Sequence, residues 1–301
     1  MSTTQPHSAE YFGEQRDYWW NADFVAMVFG RWGLGACVDV LDVGCGVGHW
    51  GRVLLPHLPA NARLFGVDRE AAWVEQATTR ARSAGLGERT SYAQGDAERL
   101  PFPDAMFDLV TCQTVLIHVR DPRAVVREMV RVLKPGGAVL VAEPNNMANA
   151  SVVSNLRFDE AIETRIALAR FQLVCERGKE ARGEGNNSIG DLVPGIFAQS
   201  GLKSVDACLS DRATLMLPPY TAPDQAALRA QLLDWCDREF WIWDRSETLR
   251  YFLAGGGTES EFSGLWELAM GVQRRECDAL RRGELSTAGG GVSYLVVGRK
   301  E

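Results

Sequence analysis

A strand, a turn with three alternating glycines and a helix follow one another early in the chain, and this order most constrains the fold. Residues 38–43 read VDVLDV, a short β-branched and apolar run typical of a strand buried on both faces. Gly44, Gly46 and Gly48 follow, and a helical pattern covers residues 49–58. Because glycine lacks Cβ, the chain can turn tightly there, and a ligand can approach the backbone beside the unpaired N–H groups of the helix start. The stretch predicts a nucleotide-binding α/β unit.

The glycines alone do not identify the ligand. Residues 46–51 read GVGHWG, which also fits the G-x-G-x-x-G fingerprint of dinucleotide-binding proteins. In that fingerprint the first glycine directly follows the strand, a place that Gly44 holds here. Asp42 sets a carboxylate near the end of the strand, which would repel a pyrophosphate and attract an ammonium group. The turn therefore favours a positively charged ligand, with a nicotinamide dinucleotide as the alternative.

Further motifs follow the glycine turn in order. They are FGVD at 65–68, QGDAERLPF at 94–102, FDLV at 107–110 and LKPGG at 133–137, ahead of an apolar strand at 138–143. Together these motifs resemble the class I S-adenosylmethionine-dependent methyltransferases, and most of all their small-molecule members of the ubiquinone and menaquinone type. The resemblance covers residues 38–143 and extends only loosely to the rest. It implies methyl transfer from S-adenosylmethionine, with S-adenosylhomocysteine as the product.

The resemblance assigns cofactor contacts to the glycine turn and to the ends of the following strands. Asp42 would interact with the amino group of the methionine part, and Asp68 would accept hydrogen bonds from both ribose hydroxyls, as it would in a dinucleotide enzyme. The Asp96 carboxylate and the Ala97 N–H would bind the adenine, although Asp96 could instead cap a turn at 97–100. The expected cofactor set is Asp42, Gly44, Cys45, Gly46, Gly48, Asp68, Arg69, Asp96, Ala97, Gln113 and Tyr18.

Three members of that set carry more specific expectations. Arg69 would stack its guanidinium on the adenine or point to solvent. Gln113 lies just past the fourth predicted strand, at the edge where open α/β sheets bind ligands, and its backbone would contact the methionine end. Tyr18 belongs to an aromatic N-terminal segment that would lie over the cofactor or pack on the sheet.

Residues after the fourth and fifth predicted strands are candidates for the acceptor side. Glu143 and Asn146 follow the fifth strand; Glu143 would orient a substrate amine or hydroxyl, or pair with an arginine such as Arg177. His118 is either a buried, hydrogen-bonded histidine or a general base near the methyl group. The aromatic residues Trp235, Phe240, Trp241 and Trp243 are interpreted as core rather than as a substrate wall.

Strands alternate with helices at a spacing that predicts a parallel sheet covered on both faces. The predicted strands are 38–43, 63–68, 90–94, 107–111, 138–143, 204–209 and 293–298, and the helices between them are 49–58, 70–84, 122–133 and 189–200. Together with this spacing, the resemblance implies an α/β fold class: a Rossmann-like seven-stranded methyltransferase sheet, mostly parallel with an antiparallel last strand, carrying helical cap inserts.

This pattern and the resemblance together predict three kinds of segment. Residues 1–36 would form an N-terminal helical lid. Residues 37–144, 189–210 and 292–301 would form the core that binds S-adenosylmethionine. Residues 145–188 and 211–291 would form helical inserts that cap the carboxyl ends of the strands.

Composition limits the function further. The net charge of −7 over 301 residues argues against binding nucleic acid through bulk charge. No apolar run is long enough for a transmembrane helix, and the polar first residues lack a signal-peptide core. Seven scattered cysteines predict reduced thiols in the cytoplasm rather than disulfides or zinc, and four histidines make a metal site improbable. We therefore expect a cytoplasmic methyltransferase with a small-molecule acceptor; the alternatives are a protein or RNA methyltransferase and a non-catalytic S-adenosylmethionine-binding protein.

Overall fold

The computed structural model describes residue 11, residues 13–289 and residues 291–301, and the chain divides into two compact units. The sheet unit comprises Trp20–Asn145, Ser188–Asp211 and Ser293–Glu301. The helical unit comprises Met1–Trp19, Asn146–Asn187 and Arg212–Val292. Of the predicted N-terminal lid, residues 1–10 and 12 lie outside the described residues.

A seven-stranded sheet forms the frame of the sheet unit. The strands of the chain are β1 (Asp39–Val43), β2 (Arg63–Asp68), β3 (Thr90–Gln94), β4 (Phe107–Gln113), β5 (Leu133–Asn145), β6 (Lys203–Leu209), β7 (Thr214–Met216), β8 (Thr287–Gly289) and β9 (Val292–Arg299). The large sheet has the order β3-β2-β1-β4-β5-β9-β6, and β7 pairs with β8 separately. The pairs among β1–β5 are parallel, whereas β6 and β9 are antiparallel. The predicted α/β fold class, with its antiparallel last strand, is confirmed.

Helices fill both units. They are α1 (Ala22–Arg31), α2 (His49–Leu54), α3 (Ala71–Ser83), α4 (Pro122–Val132), α5 (Ile162–Ala181), α6 (Val193–Gln199), α7 (Pro223–Asp237), α8 (Arg245–Ala254) and α9 (Glu259–Arg282). The helix predicted at 49–58 is shorter than expected: α2 ends at Leu54, and Leu55–His57 continues as a 3₁₀ turn. Pro56 explains this ending, because a proline has no N–H for the α-helical hydrogen bond.

The sheet is covered on both faces by apolar side chains. Along β1, Val40 belongs to one buried cluster, and its neighbour Leu41 belongs to the other, as expected for a strand with alternating side chains. The helix α1 packs Phe24 and Val28 into the same cluster as Val40. The part of the aromatic N-terminal segment that follows residue 20 therefore belongs to the core of the sheet unit.

The helical unit has a core of its own. Phe171 on α5 packs with Trp243, Phe252 and Phe262, and the ring of Trp241 stacks on Phe171 at a centroid distance of 4.9 Å. Trp243 and Phe240 are buried. The tryptophans of this insert thus contribute to its packing, in agreement with their interpretation as core.

One cysteine pair corrects the prediction that all thiols are reduced. Cys236 on α7 and Cys277 on α9 form a disulfide, with their Cα atoms 6.3 Å apart and a sequence separation of 41. The two cysteines come together because α7 packs against α9, a contact that their scattered spacing does not signal. No helix within the described ranges is long and apolar enough to cross a bilayer.

Candidate cofactor site

The turn between β1 and α2 adopts a conformation that requires glycine. Gly44, Gly46 and Gly48 have φ angles of 66°, 50° and 81°, in the left-handed region that other residues enter at a cost. Space is also limiting at Gly44, where an added Cβ would lie 2.4 Å from Cγ2 of Val115. Gly48 is the N-cap residue of α2, so the turn delivers the chain directly into that helix.

Asp42 lies beneath this turn, next to last in β1, and is fully buried. Its Oδ2 accepts a hydrogen bond of 3.2 Å from the backbone N–H of Gly51, in the first turn of α2. A carboxylate at that position is stabilised by the positive end of the helix. The structure therefore shows the helix-capping contact of Asp42, while its interaction with the methionine amino group stays a prediction.

Asp68, the last residue of β2, ties that strand to the glycine turn. Its Oδ2 accepts from the N–H of Gly46 at 2.9 Å, and its Oδ1 accepts from the N–H of Glu70 at 3.0 Å. Burial raises the pKa of Asp68, and these two backbone hydrogen bonds oppose the rise. Since a carboxylate oxygen has two acceptor positions, each oxygen retains capacity for a further donor such as a ribose hydroxyl.

Cys45 sits inside the turn and is buried. Its backbone N–H donates to the carbonyl of Val67 at 3.0 Å, which joins the turn to β2 a second time. Burial raises the pKa of the Cys45 thiol, and the neighbouring carboxylates of Asp42 and Asp68 raise it further. The side chain is thus held as a neutral thiol.

Tyr92 on β3 is a residue of this region that the sequence interpretation missed. It pairs with Gly66 of β2, where an added Cβ would lie 2.3 Å from the tyrosine ring, and its hydroxyl oxygen comes within 3.0 Å of a Cβ built on Gly48. Burial, together with the charge of Asp42, raises the pKa of Tyr92. The available signal was Gly66 itself, because a glycine inside a strand often marks a close approach by another group.

Two of the three residues expected near the adenine, Asp96 and Arg69, show their alternative contacts. Asp96 is exposed, and its Oδ1 accepts from the N–H of Glu98 at 2.9 Å, which is the turn-capping arrangement. The Arg69 side chain is 72% exposed, with Nε 3.3 Å from Oε1 of Glu70. Arg69 therefore points to solvent here, and the adenine contacts of Asp96 and Ala97 stay predictions.

Glu143 makes contacts that the sequence did not indicate. The sequence predicts that it orients a substrate amine or hydroxyl or pairs with an arginine such as Arg177, and in the structure its side chain is fully buried in β5. Its Oε1 accepts from the backbone N–H groups of Val115 and Leu116 at 2.7 and 2.8 Å, and Oε2 accepts from Ile117 at 3.4 Å. The carboxylate therefore holds the 3₁₀ turn Leu116–His118 that follows β4.

Gln113 and His118 flank that held segment. Gln113 is the buried last residue of β4, two positions beyond Thr111, which pairs with Asp42. His118 is half-buried at the end of the 3₁₀ turn, and its backbone N–H donates to Val115 at 2.9 Å. The sheet unit thus brings Asp42, Gln113 and the glycine turn to one edge, whereas general-base chemistry at His118 stays a prediction.

The remaining two site candidates belong to the helical unit. Tyr18 ends the 3₁₀ turn Glu14–Tyr18. The Asn146 side chain donates to the backbone carbonyl of Asn187 at 2.7 Å, and the backbone carbonyl of Asn146 accepts from the side chain of Gln172 at 3.1 Å. Their expected cofactor and substrate contacts stay predictions. Within the part of the chain that the structure describes, no group of three or more His, Cys, Asp or Glu side chains is arranged to hold a metal ion.

Comparisons with known proteins relate the first half of the chain to methyltransferases. Residues 41–141 match the family described as a methyltransferase domain. The chain is 40% identical over 104 residues to the uncharacterized methyltransferase YcgJ of Bacillus subtilis, an alignment that covers 35% of this chain and 40% of YcgJ. It is 41% identical over 97 residues to the ubiquinone/menaquinone biosynthesis C-methyltransferase UbiE of Pectobacterium carotovorum, covering 32% of this chain and 34% of that protein.

Structural similarity extends over more of the chain. A solved Bacillus halodurans protein, proposed to be a methyltransferase, superposes with a TM-score of 0.50 at 20% identity, covering 91% of this chain and 98% of that one. At such identity the likeness shows the fold alone. The sequence matches are shorter. In them the chain spans only 40% or less of the length of these two curated relatives.

Proposed function

Because residues 41–141 are a methyltransferase domain of the class I S-adenosylmethionine-dependent family, we propose that the whole chain transfers a methyl group from S-adenosylmethionine to a small organic acceptor. The observation that carries the proposal is the glycine turn, with its three left-handed glycines set between the buried acids Asp42 and Asp68. In the reaction, an electron pair of the acceptor attacks the methyl carbon, the carbon–sulfur bond breaks, and S-adenosylhomocysteine leaves.

The charges around the turn suit this cofactor. S-Adenosylmethionine carries a sulfonium and an ammonium group, and the carboxylates of Asp42 and Asp68 lie on adjacent strands at the same edge of the sheet. Opposite charges attract more strongly in a region shielded from water, where these two acids lie. A dinucleotide would instead bring its negative pyrophosphate against the same carboxylates. The site thus supports a cationic nucleoside ligand.

The chain has little bond chemistry to perform once the cofactor is bound. The sulfonium already activates the methyl group, so the protein contributes mainly by aligning the attacking atom in line with the carbon–sulfur bond. A base is needed only for an acceptor whose attacking atom carries a proton that must leave. We assign that role to His118, the last residue of the turn that Glu143 holds at the same edge of the sheet.

The acceptor class in this proposal is inferred from a relative and from the net charge. The name of UbiE places that relative in ubiquinone and menaquinone biosynthesis, which favours a small apolar acceptor. The net charge of −7 disfavours RNA, since RNA-binding proteins attract phosphates with basic surfaces. A cytoplasmic location belongs to the same proposal.

Titration calorimetry on the full chain with S-adenosylmethionine, S-adenosylhomocysteine and NAD tests the cofactor. We expect binding of the first two ligands in the micromolar range and no heat from NAD. A screen of quinols, sterols and small amines, read by formation of S-adenosylhomocysteine, then tests the acceptor. Binding without turnover on any acceptor would favour a non-catalytic S-adenosylmethionine-binding protein, turnover on protein or RNA alone would change the acceptor class, and NAD binding would restore the dehydrogenase alternative.

A further inference from the structure

Glu143 is an acidic residue that directly follows the buried apolar run of β5, residues 138–142. The preceding residues Leu140, Val141 and Ala142 are buried, and Glu143 itself has an exposed fraction of 0%. Placing a carboxylate there is costly unless hydrogen bonds replace its hydration. A residue of this kind needs a structural partner that makes the burial favourable.

The partner is the start of the turn that follows β4. The backbone N–H groups of Val115, Leu116 and Ile117 all donate to the Glu143 carboxylate, and the thiol of Cys112 lies 3.9 Å from its Oε1. The first N–H groups of a helical turn have no acceptor within the turn, so a carboxylate placed against them replaces three missing hydrogen bonds. Glu143 acts on this segment as an N-terminal cap supplied by a neighbouring strand.

The segment held in this way is in direct contact with the glycine turn. The Val115 side chain occupies the space that a Cβ on Gly44 would need, because its Cγ2 would lie 2.4 Å from that Cβ. Just before it, Thr114 has a φ of 54°, and its N–H donates to the carbonyl of Ala142 at 2.9 Å. Because Val115 lies between Glu143 and Gly44, a displacement of the segment would also change the packing of the glycine turn.

We propose that Glu143 is a positioning residue for cofactor binding. It touches neither the cofactor nor the acceptor; it fixes residues 114–118, and through Val115 it keeps the glycine turn in its ligand-binding shape. The same hydrogen bonds set the positions of the Gln113 backbone and of His118. This inference rests on the proposed function, since it assigns Glu143 to the binding of S-adenosylmethionine.

The test compares Glu143→Gln and Glu143→Ala with Val139→Ala as the control. Val139 lies on the same strand and is equally buried, in the apolar cluster that lines the same face, so its truncation weakens packing without removing an acceptor from the turn. Glutamine keeps one oxygen for two of the three N–H groups but directs an NH₂ group at the third. Affinity for S-adenosylmethionine is measured by calorimetry, exchange of residues 113–119 by hydrogen–deuterium mass spectrometry, and stability by thermal unfolding.

We expect Glu143→Gln to weaken S-adenosylmethionine binding about tenfold, as for one lost buried hydrogen bond, and Glu143→Ala to weaken it more. Both variants should accelerate exchange in residues 113–119. The control should lose thermal stability while keeping its affinity within about twofold, since no hydrogen bond of the turn is removed. If Glu143→Ala does not fold, Glu143→Gln alone carries the comparison.

Two failures can be told apart. If the wild-type chain does not bind S-adenosylmethionine, the proposed function is wrong. If the wild type binds and the Glu143 variants lose no more affinity than Val139→Ala, the positioning role is overturned while the proposed function stands. Unchanged exchange in residues 113–119 would also overturn it, because the carboxylate would then not be holding the turn.

Discussion

Replacing Asp68 with alanine should separate folding from ligand binding at the glycine turn. In the structure this carboxylate accepts the N–H of Gly46 at 2.9 Å and that of Glu70 at 3.0 Å, and the residue is 6% exposed. Truncation leaves both N–H groups without that acceptor. At about 1–2 kcal/mol for each buried group left unpaired, the change should cost about 2–4 kcal/mol of unfolding free energy.

One opposing effect lowers the expected loss of unfolding free energy. Burial raises the pKa of Asp68, which means that the folded protein holds the charged form at a cost that alanine removes. We therefore expect a loss near the lower end, about 2 kcal/mol. The effect on the cofactor is separate: hydrogen bonds from ribose hydroxyls to a carboxylate contribute about 1.5–3 kcal/mol, or about 10- to 100-fold in affinity.

Asp108→Ala provides a matched control at the other end of β1. The Asp108 carboxylate also accepts two backbone N–H groups, those of Val38 and Asp39, at 3.0 and 2.9 Å. It also contacts Lys134, so its removal should destabilise the chain by a comparable amount. Urea unfolding gives the stability of both variants, and calorimetry gives their affinity for S-adenosylmethionine. If Asp68→Ala binds within about twofold of wild type, or no more weakly than Asp108→Ala, Asp68 does not hold the ribose.

Three further changes test other parts of the structure. Gly46→Val should abolish binding of S-adenosylmethionine while its circular dichroism spectrum stays near native. The control Gly85→Val changes another glycine with a positive φ, has open space around it, and should share the backbone strain but bind normally. Normal binding by Gly46→Val would show that the ligand does not lie against this turn. Cys236→Ser should lower the unfolding free energy by about 4 kcal/mol relative to the oxidised protein, because the disulfide to Cys277 closes a loop with a sequence separation of 41. Relative to the reduced protein, the variant should lose little stability. Equal stability of all three forms would show that the disulfide contributes nothing. Because the pKa of Asp68 is raised in the folded state, the contribution of Asp68 to stability should fall as pH rises from about 4 through the raised value. The unfolding free energy of Asp68→Asn should lack this fall across the same pH range. If the variant and the wild type show the same dependence of unfolding free energy on pH, the prediction is wrong.

The sequence was most informative for short strands that lie between turns. The strands predicted at 63–68 and 90–94 coincide with β2 (Arg63–Asp68) and β3 (Thr90–Gln94), because short apolar or β-branched runs between turns leave few alternatives. The predicted strand at 138–143 is longer in the structure, where β5 begins at Leu133 and pairs that residue with Phe107. The LKPGG motif therefore lies within a strand whose pairing depends on β4, a contact that local pattern does not encode.

The site was predictable as far as strand ends determine it. Asp42 and Asp68 could be placed at one edge because they end adjacent parallel strands, and the structure pairs Asp42 with Gly66, two residues before Asp68. Tyr92 could not be placed at this edge from the sequence, since its hydroxyl reaches the glycine turn only by crossing β2 at Gly66, which has no side chain. The partners of Glu143 were equally hidden, because Val115 and Leu116 lie 28 and 27 residues earlier in the chain.

The three strand-borne acids at this edge share one structural feature. Asp42 accepts from Gly51, Asp68 from Gly46, and Glu143 from Leu116, so each carboxylate binds the backbone of a loop or helix start that follows a strand. Backbone fixed in this way before a ligand arrives loses less conformational entropy on binding, which leaves more of the contact energy as affinity. The same three carboxylates concentrate negative charge at the edge where the cationic cofactor is proposed to bind. A neutral side chain could accept some of these hydrogen bonds but would not attract a sulfonium, which is a physical reason for acids at all three positions.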